Sequence, residues 1–298
     1  MSIAYAASLS PYENKGKCGQ LEIFDDADDL ETKLNVLAEW MSKARHCVVH
    51  TGAGASTAAG IPDFRGPDGV WTLEKEGRSR KRSDVGFGEA IPTTTHMALV
   101  RLEGEGLVKC VVTQNIDGLH LKSGFPRDKL CILHGDVFTE KCERCGREVC
   151  RNVPVETVGE KLTGNKCDEG GGRGKCRGKL RDTLLDWEGE LPLEDLNRAT
   201  RNSKEADLSI CLGTSLQMMP AASFPLMALK KKGRLVICNL QPTKYDKRAS
   251  LVIHAKVDDI MKGIMKRLGY PIGQWTEVKR ETEPPNKQPR TDSNKMNT

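Results

Sequence analysis

Four cysteines of this chain are spaced as the ligands of a metal ion would be. Cys142 and Cys145 form a C-x2-C pair, and Cys167 and Cys176 follow with eight residues between them. Four thiolates from two turns form a closed tetrahedral site, the structural form of zinc binding, which leaves no position open for a substrate. The spacing predicts one structural zinc ion, and Cys150 is a rival for the fourth ligand position.

The glycine-rich stretch HTGAGASTAAGIPDFRG follows the apolar run CVVH. Gly52 and Gly54 permit a tight turn and a close approach to the backbone, and Ser56 and Thr57 could cap a helix whose N-terminus favours an anion. The spacing departs from the usual dinucleotide fingerprint, because Gly60 comes six residues after Gly54 and no acidic residue ends a strand about 20 residues later. A nucleotide loop and an ordinary glycine-rich turn both remain open.

The end of this stretch contains an aromatic and a charged side chain. Phe64 and Arg65 suit a loop that folds over a phosphorylated ligand, with Arg65 facing phosphate and Phe64 covering a reactive ring. The alternative is a surface loop in which Asp63 and Arg65 form a charged pair. The residues alone do not decide between the two.

Polar residues also stand at the ends of other apolar runs, and each taken singly is more typical of a cap or loop. They are Gln114, Asn115, Asp117 and His120, then His134, then Gly213, Thr214 and Ser215, and finally Asn239 and Gln241. In an open parallel sheet the carboxyl ends of the strands border one crevice. Clusters at five strand ends, the glycine-rich stretch included, therefore predict a shared ligand site.

The elements that would position these residues alternate along the chain. Apolar runs at 47–50, 109–115, 129–135, 206–215 and 234–241 predict strands. Helical patterns occupy 28–45, with Asp28 or Asp29 as its cap, and 95–106, 219–233 and 257–269. The alternation predicts an α/β fold, a Rossmann-like parallel sheet with helices on both faces.

Composition divides the chain into four parts. We predict an N-terminal segment at 1–26, a Rossmann-like domain from 27–135 and 181–272, an inserted zinc-binding module at 136–180, and a disordered polar tail at 273–298. The remaining cysteines in strands, Cys47, Cys110, Cys131, Cys211 and Cys238, are expected to be core residues.

Composition also limits the class of protein. With 298 residues, 38% hydrophobic and 29% charged, the chain is typical of globular proteins. We find no secretory signal and no apolar run of membrane-spanning length, so we expect no membrane partner and a reducing compartment. The net charge of +5 permits a polyanionic partner, and the basic loop 75–82, with five Lys or Arg in eight residues, could contact DNA.

The motifs GAGAS, GIPDFRG, TQNIDGLH, LHG, the split cysteine module, GTS and NLQ occur in the order seen in sirtuins, which are NAD-dependent protein deacylases. The resemblance covers roughly residues 20–270. Stretches such as YAASLSPYENKGKCG, LRDTLLDWE and NLQPTKYDKRA look similar to the nuclear sirtuin-six branch. Ala55 departs from the family pattern, which commonly has a larger apolar residue there, and this should change packing rather than chemistry.

The resemblance assigns roles to individual residues. The catalytic residues would be His134, as the general base, and Asn115. Asp117 would hydrogen-bond the nicotinamide carboxamide. Cys142, Cys145, Cys167 and Cys176 would hold zinc. The residues implied to bind NAD are Ala53, Thr57, Phe64, Arg65, Trp71, Gln114, Asp117, His134, Gly213, Thr214, Ser215, Asn239, Gln241 and Val257.

The resemblance implies an NAD-dependent lysine deacylase, removing acetyl and also longer acyl groups from histone tails and other chromatin proteins in the nucleus. Its products would be nicotinamide and O-acyl-ADP-ribose. Two alternatives stay open: a mono-ADP-ribosyltransferase that uses the same NAD site, and a chromatin-binding scaffold whose catalysis is vestigial.

Overall fold

The computed structural model describes residues 2–78, 85–168 and 176–276. Its strands are β1 (Cys47–Thr51), β2 (Cys110–Thr113), β3 (Leu130–Ile132), β4 (Thr139–Cys142), β5 (Glu148–Cys150), β6 (Leu162–Lys166), β7 (Lys179–Asp182), β8 (Leu208–Leu212), β9 (Arg234–Cys238) and β10 (Leu251–Ile253). Its α-helices are α1 (Ser2–Ser8), α2 (Ala27–Lys43), α3 (Val70–Lys75), α4 (Thr94–Gly104), α5 (Leu119–Lys122), α6 (Leu193–Glu205) and α7 (Val257–Leu268).

Six parallel strands form the main sheet in the order β10-β9-β8-β1-β2-β3. The chain winds outward from β1 in one direction and from β8 in the other, so the topology switches between these two neighbours. Loops leaving such a pair diverge to opposite faces of the sheet and open a crevice at the carboxyl ends of the strands. The predicted α/β class and parallel sheet are confirmed.

Helices cover both faces of this sheet because its central strands are apolar on both sides. Leu37 of α2, Leu99 of α4 and Ile260 of α7 are fully buried on one face. On the other face, Ala199 of α6 and the nearby Phe224 pack against strand residues. The five strand cysteines predicted to be core residues, Cys47, Cys110, Cys131, Cys211 and Cys238, are all at most 1% exposed.

Three local predictions were wrong. The Asp26 side chain, rather than Asp28 or Asp29, caps α2 by accepting the Asp29 N–H at 2.8 Å. Residues 219–233 form no α-helix but two 3-10 helices, at Ala221–Ser223 and Pro225–Lys231. Ser56 and Thr57 cap no α-helix, because the glycine-rich stretch also folds into two three-residue 3-10 turns.

The cysteine-containing insertion forms a separate antiparallel sheet in the order β5-β4-β7-β6. Val149 and Leu180 pack with three of the cysteines into a small apolar cluster of its own. Part of the insertion's glycine cluster, 169–175, lies outside the described residues, as do 79–84 of the basic loop and 277–298 of the predicted tail. No helix in the described ranges is both long and apolar enough to span a bilayer.

Candidate active site

A cavity of about 240 Å³ opens at the carboxyl ends of the central strands, where β1 and β8 diverge. Most of the residues predicted for the ligand site line it: Ala53, Phe64, Arg65, Trp71, Gln114, Asn115, Asp117, His134, Gly213, Thr214, Ser215, Asn239 and Gln241. Thr57 and Val257 do not. The Thr57 hydroxyl donates to the Gly54 carbonyl at 3.1 Å, and Val257 is buried in the main core at the start of α7.

Glycines at the switch point allow two loops to pack backbone against backbone. A Cβ on Gly54 would lie 2.7 Å from the Cα of Gly213, and one on Gly213 would lie 2.5 Å from the carbonyl carbon of Gly54. The Gly54 N–H donates to the Gly213 carbonyl at 2.9 Å. The close approach that these glycines permit is therefore between the loops after β1 and β8, which together form the cavity floor.

Beside this floor, three polar side chains form a buried network. The Ser56 hydroxyl donates to the Asp117 carboxylate at 2.6 Å and accepts from the Asn115 amide at 3.2 Å, and that amide also donates to the Gly52 carbonyl at 3.0 Å. Burial raises the pKa of Asp117, while hydrogen bonds from Ser56 and the Leu119 N–H act in the opposite direction. Ser56, which the sequence suggested only as a cap, thus holds the carboxylate and amide side chains of this wall.

His134 follows β3, and among the described residues its imidazole ring bonds to one backbone carbonyl. Its Nδ1 lies 3.2 Å from the Gln114 carbonyl oxygen, and because a carbonyl can only accept, Nδ1 carries the proton and Nε2 keeps a lone pair. Burial lowers the pKa of His134 to about 4; the Gln114 bond opposes this shift, and the Arg65 charge adds to it. The imidazole is therefore neutral near pH 7 and able to accept a proton.

Arg65 brings positive charge to the same cavity. In the described part of the chain no carboxylate lies within ion-pair distance of its guanidinium, which stacks 4.6 Å from the Trp71 ring centroid. The alternative of an Asp63–Arg65 charged pair is not observed among the described residues, where the Asp63 carboxylate accepts the Gly66 N–H at 2.7 Å and shapes the loop. A cation without a carboxylate partner suits an anionic ligand.

Several lining residues were missed because they come from distant parts of the chain. Tyr5 and Leu9 belong to the N-terminal segment, and Asp186 and Trp187 follow β7. Two of them, Tyr5 and Trp187, form an aromatic row with Phe64, Trp71 and Tyr12, in which neighbouring ring centroids are 4.6–6.4 Å apart. Periodicity gives no sign of contacts between residues about 180 positions apart; these residues were quoted only as part of the family resemblance.

The predicted zinc ligands do meet. The sulfur atoms of Cys142, Cys145, Cys167 and Cys176 all lie within 4.8 Å of one another. Two of the pairs are 3.7 Å and 3.9 Å apart, close to the roughly 3.8 Å separation that four Zn–S bonds of about 2.3 Å produce in a tetrahedron. These cysteines could therefore hold one structural zinc ion, and Cys150 lies outside the group, near Thr139.

Comparison with known proteins is consistent with this arrangement. The Sir2 family model matches residues 75–220. The chain is 49% identical to the NAD-dependent protein deacetylase SRT1 of Arabidopsis thaliana over 93% of its own length but only 58% of the relative's. It is 48% identical to the NAD-dependent protein deacetylase Sirt6 of Drosophila melanogaster, covering 95% of this chain and 90% of that one. A solved structure of Sir2 with a p53 peptide and NAD+ superposes with a TM-score of 0.60 at 32% identity, covering 80% of this chain and 99% of that one.

Proposed function

The chain belongs to the Sir2 family, and from that premise we propose that it is an NAD-dependent protein-lysine deacylase. The observation that carries the proposal is the meeting, in one cavity, of three features: a neutral histidine with a lone pair at Nε2, an arginine with no carboxylate within ion-pair distance among the described residues, and an amide and a buried carboxylate that Ser56 links. Each group has a task in this chemistry.

The residues present fit NAD. Arg65 would face its phosphates, and the loop from Gly213 to Ser215 would lie beside them. Asn239 and Gln241 would hold the adenosine end, while Asn115 and Asp117 would hold the nicotinamide ribose and carboxamide. When bound, NAD supplies an electrophilic ribose carbon, which an acyl-lysine oxygen attacks as nicotinamide leaves.

The Nε2 atom of His134 would accept a proton from a ribose hydroxyl, while Nδ1 stays bound to the Gln114 carbonyl. The imidazole is neutral at pH 7, so its Nε2 is free to accept this proton. Among the described residues no cysteine lines the cavity, so none offers a thiol nucleophile there. Asn115 bonds to the Gly52 carbonyl and the Ser56 hydroxyl, which fix its orientation beside the reacting groups. The products would be nicotinamide and O-acyl-ADP-ribose.

One side of the cavity is apolar and supports acyl groups longer than acetyl. Leu9, Ile61, Phe87 and Ile116 line the cavity and belong to one apolar cluster. Each buried methylene of an acyl chain would add about 0.8 kcal/mol of binding free energy. We therefore propose that long-chain acyl-lysine is accepted as well as acetyl-lysine.

The test is to incubate the purified protein with NAD and histone-tail peptides that carry acetyl or myristoyl groups, and to follow peptide mass and nicotinamide by mass spectrometry. We expect peptide-dependent release of nicotinamide and loss of the acyl mass. Release of nicotinamide with an ADP-ribose mass added to protein would favour the mono-ADP-ribosyltransferase. NAD binding with neither product would favour a scaffold.

Histone tails and a nuclear location are part of the proposal, supported by the likeness to the sirtuin-six branch and the net charge of +5. Fractionation of cells that express the tagged protein should place it with chromatin. The DNA contact predicted for loop 75–82 falls largely outside the described residues. Exchanging Arg78 for Gln should weaken binding to a DNA duplex if that contact exists.

A further inference from the structure

The N-terminal segment crosses the rim of the cavity and touches Arg65 from two sides. The Arg65 Nε donates to the Lys15 carbonyl at 2.8 Å, and the Arg65 carbonyl accepts the Gly19 N–H at 3.0 Å. The guanidinium is therefore held at Nε, its inner nitrogen. Its Nη1 has no hydrogen-bond partner among the described residues, and Nη2 contacts only the Met218 sulfur, at 3.3 Å.

The Gln217 side chain binds the backbone of this part of the segment, and a Lys15–Glu74 ion pair at 2.7 Å holds the segment nearby. The Gln217 carboxamide accepts the Lys17 N–H at 2.7 Å and donates to the Lys17 carbonyl at 3.1 Å. The Gln217 side chain thus binds both the backbone N–H and the backbone carbonyl of Lys17. Together the two bonds fix the position and the direction of the backbone at Lys17. We call this pair of contacts, with the turn at Lys15–Lys17, the Gln217 bracket.

Gly16 makes the bracket possible. Its φ of +77° lies in the left-handed region, and a Cβ there would lie 2.3 Å from the Gln217 Oε1. Only glycine lets the chain pass so close to the carboxamide and turn back. Gln217 itself does not line the cavity, so it can act on a ligand only through the residues that it holds.

We propose that the Gln217 bracket is a positioning device for Arg65. By holding the Lys15 carbonyl against Nε, it fixes the guanidinium on the cavity wall and leaves the outer nitrogens for the pyrophosphate of NAD. Without it, a long arginine side chain would have to lose its rotamer freedom each time a ligand binds. Gln217 is thus a positioning residue for the cofactor, and this inference rests on the proposed use of NAD.

The test is a double-mutant cycle in the full-length protein, with NAD and ADP-ribose affinities measured by calorimetry. We expect Gln217→Ala to weaken both about fivefold, the effect of losing roughly 1 kcal/mol of hydrogen bonding. It should raise the KM for NAD and leave kcat and the KM for peptide unchanged. Lys17→Arg is the matched control, because it keeps the backbone groups that the bracket uses and the charge, and should bind NAD normally.

The decisive measurement is Gln217→Ala in an Arg65→Ala background, where we expect no further loss of NAD affinity. An equal loss in both backgrounds, or no loss beside an intact Arg65, would overturn the bracket. Gly16→Ala opens the bracket from the other side and should reproduce the Gln217→Ala effect, with near-UV circular dichroism to check folding. If Arg65→Ala alone binds NAD like the wild type, the role of Arg65 in the proposed function fails first.

Discussion

The cysteine cluster takes all four sulfur atoms from residues 142–176, whereas the residues that line the cavity are spread along the chain from Tyr5 to Gln241. The first is supported by a four-stranded sheet with a small apolar cluster, and the second lies on a six-stranded sheet covered by helices. A small module without a large core depends on its metal, while a site on a large core can lose a side chain and stay folded. Substitutions in the two regions should therefore fail in different ways.

The largest effect is expected from Cys142→Ser. Structural zinc contributes about 10–16 kcal/mol of apparent binding free energy at pH 7 in small zinc-dependent modules, so the variant should lose zinc and the inserted sheet should unfold. Metal analysis and hydrogen exchange would show this, with β1 and β8 still protected. Cys150→Ser is the matched control, since Cys150 lies in the same sheet but outside the cluster. Full zinc content in Cys142→Ser would contradict the claim that the inserted module, unlike the cavity, depends on a metal held by this cysteine.

His134→Ala should have the reverse signature. Loss of a general base lowers kcat by about 10²–10⁴-fold, while zinc content and the thermal midpoint should stay close to those of the wild type. His46→Gln serves as control, because His46 bonds to Asn202 and does not line the cavity. Turnover that survives in His134→Ala, or zinc that is lost from it, would contradict the assignment.

Replacing one glycine in each region by alanine tests how tightly the backbone is packed there. Gly213, at φ +59°, faces the Gly54 backbone, whereas Gly146 of the module, at φ +70°, has open space where a Cβ would stand, with nothing within 4 Å. We expect Gly146→Ala to cost about 1 kcal/mol of backbone strain and Gly213→Ala about 3 kcal/mol, strain plus crowding. Urea unfolding would measure both. Equal losses would mean that the two loops can move apart without cost.

Acid should act on the two regions by different routes: it protonates the four cysteines of the insertion and releases zinc, and it destabilises the Rossmann-like part through buried histidines, of which 136–180 contain none. Burial lowers the pKa of His50 and of His96 to about 3. The unfolded chain takes up these protons below its ordinary pKa of about 6.5, so stability falls as pH falls from there toward 3. Between pH 7.5 and 5.5 the two together should lower the unfolding free energy by about 3 kcal/mol. His96→Gln should flatten this pH dependence.

Most of the fold was predictable from the sequence. Strands β2, β3, β8 and β9 fall within the predicted apolar runs, and β1 extends one residue beyond its run, because buried parallel strands consist of continuous apolar residues. The two 3-10 helices at 221–231 were not predictable, because apolar spacing does not distinguish a 3-10 helix from an α-helix. Of the candidate site, Asn115, Asp117 and His134 were found at strand ends, while Ser56 looked like a cap and Trp187 stood out only through the family resemblance.

By itself the sequence determined what depends on neighbours along the chain. It specified the parallel sheet, the zinc knuckle and the polar residues that leave each strand, because hydrophobic period and ligand spacing are local properties. Only the tertiary structure decided that Gly54 packs on Gly213, that Ser56 holds Asp117, and that the N-terminal segment meets Arg65. These contacts join residues far apart in sequence. They form where the sheet topology brings chain segments to one edge, and no periodic pattern records which segments those are.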